Sequence, residues 1–259
     1  GNLAPCVRSV ARVWLTAEME EGHCTAVEVV SSSSTNGGRE ERRGFRLGSG
    51  IVPVPRPVPT LLPIVLGSSS GYRRAVLDDL GWQFTTASPD IDEKAIRDAD
   101  PRKMCAMIAR AKAEALVGRL DKPAVLITAD QVCLFEGDKG EEEVREKPVS
   151  VEQARAFLES YSERSVKTLT AVCVTDVQTG RRQEGAHEST VFWRKIPADV
   201  VDAVMSRGDT MGSAGGFALE DPDLRRLVER IDGSLDSVVG MPVDLVCGLI
   251  ERAVQPGLA

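Results

Sequence analysis

The chain has 259 residues, 42% of them hydrophobic, which is enough for one large domain or two small ones with a buried core. Its net charge of −7 argues against a general nucleic-acid binder, and no apolar run approaches the roughly 20 residues of a membrane-spanning helix. Six cysteines without a C-x-x-C pair predict reduced thiols in a cytoplasmic protein, and two histidines argue against a histidine-built zinc site.

The first 60 residues differ from the rest of the chain, because they contain no lysine and no aspartate. Serines fill positions 31–34, and prolines alternate with other residues over 53–59. Such a composition is typical of a flexible tract that leads into an extended linker. We therefore expect residues 1–60 to be a poorly ordered extension and residues 61–259 to form the catalytic domain.

A short apolar run beginning at Pro63 ends at Gly67, and three serines and two arginines follow it. This order predicts a strand, a tight turn and the N-terminus of a helix, where backbone N–H groups favour an anion. Serine hydroxyls and arginine guanidinium groups would add donors suited to phosphate. The stretch is also consistent with a serine-rich turn carrying a solvated arginine pair, so the choice depends on the rest of the chain.

The next elements continue an α/β pattern. A helix ends at Gly81, a loop over 88–93 is dense in carboxylates, and an amphipathic helix covers about 101–120. The acidic loop either supplies oxygen ligands of the kind that Mg²⁺ or Mn²⁺ prefers or is a solvated surface loop.

A buried strand is predicted over 124–129, and it is expected to end at Asp130. An acid at the C-terminal end of a strand is well placed for catalysis in an open α/β sheet. It could accept a proton from water or hold a divalent cation, although an aspartate that caps the next turn would look the same. Lys112 and Lys147 could each meet a phosphate or lie on the surface as ordinary lysines.

The second half of the chain alternates strands and helices. The pattern predicts a charged hairpin tip over 136–146, strands over 166–176 and up to Trp193, a helix from Pro197 to Gly208, a glycine-rich loop over 212–220 and a last helix from Pro242. The pattern over 224–231 fits a strand or a helix. The chain has no G-x-x-x-x-G-K-[ST] sequence and no serine-elbow motif, which excludes a P-loop NTPase and disfavours an α/β-hydrolase.

Six short motifs occur in one order along residues 63–254: LGSSSGYRR at 66–74, PDIDE at 89–93, ADQV at 129–132, KP at 147–148, AGGF at 214–217 and SVVGMP at 237–242. In this order and spacing the chain resembles the Maf-like nucleoside triphosphate pyrophosphatases, also described as septum-formation inhibitors. The resemblance implies a mixed, elongated α/β sheet of the Maf/ITPase-like kind, flanked by helices, with a deep cleft between two lobes.

The resemblance also implies an activity and the residues that carry it. The activity is hydrolysis of a nucleoside triphosphate to the monophosphate and pyrophosphate, with Mg²⁺, Mn²⁺ or Co²⁺, by a homodimer. Asp130 would be the general base. The phosphate-binding and metal-binding positions would be Ser68, Arg74, Lys112 and Lys147 for phosphate, and Glu93 with Asp130 for the metal.

Three positions separate branches of that family, and here they are Tyr72, Gln131 and Glu220. This set resembles the branch that acts on 7-methyl-GTP, since the dTTP/UTP branch carries Arg, Thr and Gln. The chemistry agrees, because an aromatic face attracts the positive charge of an N7-methylated purine and a carboxylate accepts from the guanine edge. A dTTP/UTP pyrophosphatase and a nucleotide-binding regulator of cell division with little turnover are the alternative interpretations.

Overall fold

The computed structural model describes residues 57–254, and its architecture confirms the predicted mixed α/β class. The expected extension over 1–60 lies almost entirely outside the described residues and stays a prediction. The strands are β1 (Ile64–Leu66), β2 (Phe84–Thr86), β3 (Val125–Glu136), β4 (Glu142–Arg145), β5 (Ser165–Asp176), β6 (Arg182–Trp193) and β7 (Val228–Asp232). The helices are α1 (Gly71–Asp79), α2 (Pro101–Val117), α3 (Val151–Ser160), α4 (Ala198–Arg207), α5 (Pro222–Arg225), α6 (Leu235–Val238) and α7 (Val243–Val254). Short 3₁₀ turns cover Glu93–Ala95, Asp209–Gly212 and Ala214–Gly216.

One seven-stranded sheet organises the molecule, in the order β2-β1-β3-β5-β6-β7, with β4 paired to the far part of β3. The pairs β1–β2 and β1–β3 are parallel, and the pairs of β3 with β4 and β5, of β5 with β6 and of β6 with β7 are antiparallel. The sheet is therefore mixed, as the resemblance implies.

The long strand β3 has an edge that is only partly covered. On one side β5 pairs with it over residues 125–134. On the other side β1 pairs only with 125–127 and β4 only with 133–136. Among the described residues, positions 128–132 thus have no strand partner on that side, and this gap is where the site described below opens.

Helices cover both faces of the sheet. One face packs against α1 and α7 in a core that includes Leu77, Ile127 and Leu249, and the other packs against α2 through Leu116 and Leu126. A third cluster joins α3, α4 and the ends of β5 and β6. Within it Tyr161 stacks on Trp193, and Phe217 meets both rings edge-on. These helices are stabilised because each packs its apolar face against the sheet or a neighbouring helix. The side chains of Ser70, Asp100 and Ser150 cap the N-termini of α1, α2 and α3.

Two predictions change with the structure. The expectation that the strand ends at Asp130 is wrong, because β3 continues to Glu136 and Asp130 lies in its middle. The strand continues because β5 supplies ladder partners well beyond the point at which β1 ends. The undecided segment 224–231 contains the end of α5 and most of β7.

No helix within residues 57–254 is long and apolar enough to cross a bilayer.

Candidate active site

A cavity of about 1120 Å³ opens at the uncovered edge of β3. Its walls come from the start of α1, the loop before α2, α2 itself, the segment between β4 and α3, and the glycine-rich loop after α4. Eight of the nine residues predicted for the site line it: Ser68, Tyr72, Glu93, Lys112, Asp130, Gln131, Lys147 and Glu220. Arg74 is absent from that wall, and its neighbour Arg73 is present.

Arg73 is a buried residue of the cavity lining and is held by three acceptors. Its Nε donates to the Gly240 carbonyl at 2.9 Å. One terminal nitrogen, Nη1, donates to the Ala129 carbonyl at 2.9 Å and to Ser68 Oγ at 3.4 Å. These contacts fix the guanidinium beside the exposed edge of β3. A positive charge is therefore held next to the peptide group that precedes Asp130.

The helix geometry of α1 explains why Arg73 faces inward and Arg74 does not. Each helical residue turns the side chain by about 100°, so adjacent residues cannot share a direction. Burial lowers the pKa of the Arg73 guanidinium, while the charges of Asp130 and Glu93 oppose that shift. Arginine stays protonated in proteins, so Arg73 is a permanent cation here. Phosphate binding was predicted for Arg74, but the phase of the helix places Arg73, and not Arg74, on the cavity wall.

Lys112 of α2 joins the two carboxylates that were predicted as metal ligands. Its ammonium lies 2.9 Å from Asp130 Oδ1 and 2.9 Å from Glu93 Oε2. It also donates to the Ala129 carbonyl at 3.4 Å. The lysine side chain is 6% exposed and that of Asp130 is 12% exposed, so their pairing is screened little by water.

Asp130 and Gln131 point to opposite faces of the sheet, because successive strand side chains alternate. Asp130 contacts Lys112 on the α2 face, and Gln131 contacts Ser237 and Val238 of α6 on the other. Both nevertheless line one cavity, since no strand within residues 57–254 covers this edge of β3 at either position. The gap in the sheet is therefore what brings an acid and an amide from opposite faces to one ligand.

The segment that carries Lys147 is tied to the glycine-rich loop. The Gly215 N–H donates to the Glu146 carbonyl at 3.0 Å, and Tyr161 Oη donates to the Gly215 carbonyl at 2.8 Å. Gly215 has φ +72°, a conformation that favours glycine, and a Cβ there would lie 2.6 Å from Cys133 Sγ. These contacts tie the residue before Lys147 to the glycine-rich loop, and both segments line the cavity.

A further ion pair spans the lining. Arg97, in the loop before α2, lies 3.1 Å from Glu146, and both side chains are nearly half exposed. Neither residue was among the predicted site residues. The pair places a negative charge beside Lys147 and occupies one of the cations that a phosphate would otherwise meet.

The cavity is balanced in charge rather than basic. Its basic side chains are Arg73, Lys94, Arg97, Lys112 and Lys147, and its acidic ones are Glu93, Asp130, Glu143, Glu146 and Glu220. A polyphosphate would bring several negative charges to this lining, which favours a bound divalent cation. Glu93 and Asp130 converge on one ammonium, so they offer two carboxylates to one such ion.

Those two carboxylates fit a hard cation that completes its coordination from the substrate. No group of three or more His, Cys, Asp or Glu side chains suited to a metal occurs within the described part of the chain. Mg²⁺ is commonly held by one or two carboxylates together with phosphate oxygens and water. The donor set at Glu93 and Asp130 agrees with that mode.

Comparisons with known proteins identify a family and several relatives. A family model described as Maf-like protein matches residues 63–253. The chain is 38% identical over 203 residues to a 7-methyl-GTP pyrophosphatase of Dictyostelium discoideum, and the match covers 76% of this chain and 100% of that protein. It is 30% identical to a 7-methyl-GTP pyrophosphatase of Chromohalobacter salexigens, covering 73% and 95% of the two chains. It is 29% identical to a dTTP/UTP pyrophosphatase of Syntrophomonas wolfei subsp. wolfei, covering 72% and 95%.

Proposed function

This chain belongs to the Maf-like protein family of nucleotide pyrophosphatases, and we propose on that premise that it hydrolyses 7-methyl-GTP to 7-methyl-GMP and pyrophosphate. The observation that carries the proposal is the group at the uncovered edge of β3. There the Asp130 carboxylate lies in a cavity beside the cations Lys112 and Arg73. An acid that can take a proton, next to fixed positive charges, is what hydrolysis of a phosphoanhydride requires.

In the proposed reaction Asp130 accepts a proton from the attacking water. The water oxygen forms a bond to the α-phosphorus, the bond from that phosphorus to the bridging oxygen breaks, and pyrophosphate leaves with the bridging oxygen. Arg73, Lys112 and Lys147 offset the charge that develops on the phosphate oxygens. Ser68 Oγ accepts from the Ser70 N–H at 3.1 Å, which holds the hydroxyl at the helix N-terminus as a donor to phosphate.

Glu93 and Asp130 would hold the divalent cation, as predicted from the resemblance for Mg²⁺, Mn²⁺ or Co²⁺. When bound, such an ion neutralises phosphate charge and polarises the oxygen that it contacts. Lys112 lies between the two carboxylates and keeps them together before the ion and the substrate arrive. The chain's own residues therefore supply the position of the ion and the acceptor of the proton.

Base recognition is assigned to Tyr72, Gln131 and Glu220, which all line the cavity. The ring of Tyr72 would attract the positive charge of the methylated purine, since an aromatic face favours a cation. The carboxylate of Glu220 would accept from the N–H groups of the guanine edge. The identity of 38% to a 7-methyl-GTP pyrophosphatase, against 29% to a dTTP/UTP enzyme, supports the same choice.

The test is a panel of 7-methyl-GTP, GTP, UTP and dTTP, each assayed for pyrophosphate release with Mg²⁺, Mn²⁺ and Co²⁺ and again with excess chelator. We expect the highest kcat/KM for 7-methyl-GTP and loss of release with the chelator. Asp130→Asn should lower kcat by at least about 100-fold and leave nucleotide binding within about threefold, since general base catalysis contributes about 10²–10⁴-fold. The matched control is Asp78→Asn, which changes an exposed aspartate on α1 outside the cavity.

Each alternative has its own outcome. A preference for UTP or dTTP would assign the chain to the other branch, and binding without turnover in the wild type would favour the regulator. Equal activity of Asp130→Asn and Asp78→Asn would remove Asp130 from the mechanism. The homodimer and the cytoplasmic location stay predictions.

A further inference from the structure

A row of polar side chains crosses three strands beneath the cavity. Gln131 of β3 is the register partner of Thr170 of β5, and Thr170 is in turn the partner of His187 of β6. Side chains that are directly opposite in neighbouring strands lie on one face of the sheet. Ser237 of α6 packs over this row and contacts all three of its members.

The contacts form one connected network. Gln131 Nε2 donates to Thr170 Oγ1 at 2.9 Å and to the Ser237 and Val238 carbonyls at 3.1 Å each. Thr170 Oγ1 donates onward to the Ser237 carbonyl at 3.3 Å. The Ser237 hydroxyl and His187 Nδ1 lie 2.7 Å apart. Thr170 and Ser237 are fully buried, so these bonds do not compete with water.

This arrangement determines which end of the Gln131 amide faces which neighbours. Three oxygen acceptors surround Nε2, so a flipped amide would set its carbonyl oxygen against two other carbonyl oxygens. The carbonyl oxygen of Gln131 is therefore held on the side of Gly240, where a Cβ would come within 3.0 Å of it. Gln131 lines the cavity, so a ligand meets this amide in one fixed orientation.

We propose that Thr170, which does not line the cavity, is a positioning residue that strengthens binding of the nucleotide base by orienting Gln131. Ser237 and His187 are the outer members of the same network. The proposal rests on the proposed function, because it assigns Gln131 to base recognition. It adds that a buried hydroxyl on the neighbouring strand, rather than the cavity wall alone, determines how tightly the base is held.

The test uses Thr170→Val, which keeps the shape of the side chain and removes the hydroxyl. We expect KM for the preferred nucleotide to rise about three- to tenfold, the effect of losing one buried hydrogen bond, with kcat within about twofold. Inhibition by inorganic pyrophosphate should not change, because Thr170 does not contact the phosphate-binding residues. Thr170→Ser keeps the hydroxyl and should restore the wild-type KM.

The matched control is Thr168→Val. Thr168 is buried on the same face of β5 and donates to the Ser189 carbonyl at 3.2 Å, but it does not contact Gln131. A KM for Thr170→Val equal to that for Thr168→Val would overturn the proposal. So would weaker pyrophosphate inhibition in Thr170→Val, because that would indicate general distortion of the site.

Failure of the proposed function has a separate signature. In that case the wild-type protein turns over none of the four nucleotides, or it prefers UTP or dTTP. The positioning role is then judged by the Kd of whichever of the four the wild type binds best, with the same comparison of Thr170→Val, Thr170→Ser and Thr168→Val. Equal Kd values in the two valine variants would reject it in that case too.

Discussion

Lys112 offers the sharpest test of how the site is held together. Its ammonium is buried between Asp130 and Glu93, at 2.9 Å from each. Lys112→Met keeps the length and the apolar packing of the side chain but removes the charge. Asp130 would then be a largely buried carboxylate that has lost its nearest cation. Removing one partner of a buried ion pair lowers the free energy of unfolding by about 3–5 kcal/mol, because the other charge stays buried and unpaired.

The exposures of the partners place the effect at the lower end of that range. Glu93 is 48% exposed, so water compensates it, and the main cost falls on Asp130, which is 12% exposed. We expect Lys112→Met to lose about 3 kcal/mol of unfolding free energy, and Asp130→Asn only about 1 kcal/mol because Lys112 keeps Glu93 as a partner. The double variant should be more stable than Lys112→Met, since it removes both charges of the pair.

The assay is urea unfolding followed by circular dichroism, with thermal unfolding beside it. A loss of about 3 kcal/mol should lower Tm by about 6–12 °C for a domain of this size. Lys103→Met is the control, since Lys103 is exposed on the same helix. The reasoning is refuted if Lys112→Met is no less stable than Asp130→Asn, or if adding Asp130→Asn to Lys112→Met lowers stability further.

Two further predictions concern phosphate binding. Arg73→Lys should lower kcat/KM about 10–100-fold, because it removes the planar guanidinium that donates to three acceptors. Arg74→Lys, the control, should change kcat/KM by no more than about twofold. Steady-state kinetics on the preferred nucleotide checks both variants, and equal losses would contradict the assignment to Arg73. Glu146→Gln should lower KM about two- to threefold at low salt, because it frees Arg97 and removes a negative charge beside Lys147. That gain should shrink at 0.5 M salt (roughly a 4 Å screening length), and an unchanged or higher KM at low salt would rule out the electrostatic role.

Local patterns in the sequence are enough to predict most of the secondary structure. The serine before α1, the apolar spacing of α2 and the alternation in β5 and β6 each reflect interactions within a few residues, and the structure confirms the elements that they predict. The six motifs also identify the family, and the matched region of 63–253 agrees with the extent of the resemblance.

The sequence failed where one element's position depends on another. Asp130 looked like the end of a strand, because the apolar run stops there, yet β5 extends the ladder past it. Phosphate binding was predicted for Arg74, yet Arg73 lines the cavity, because the phase of α1 against the sheet decides which arginine faces inward. The network from Gln131 to His187 has no local signature in the sequence. Gln131 and Thr170 are 39 positions apart, and His187 and Ser237 are 50 positions apart.

The sequence by itself determined which side chains are available for chemistry and in which helices and strands they lie, because capping, apolar spacing and turn formation act over short distances. Tertiary structure alone decided where β1 stops and β4 starts along the same edge of β3. Five residues between them have no strand partner there in the described part of the chain. That gap arises from the register of three strands, and it is what lets an acid and an amide on opposite faces of the sheet reach one cavity.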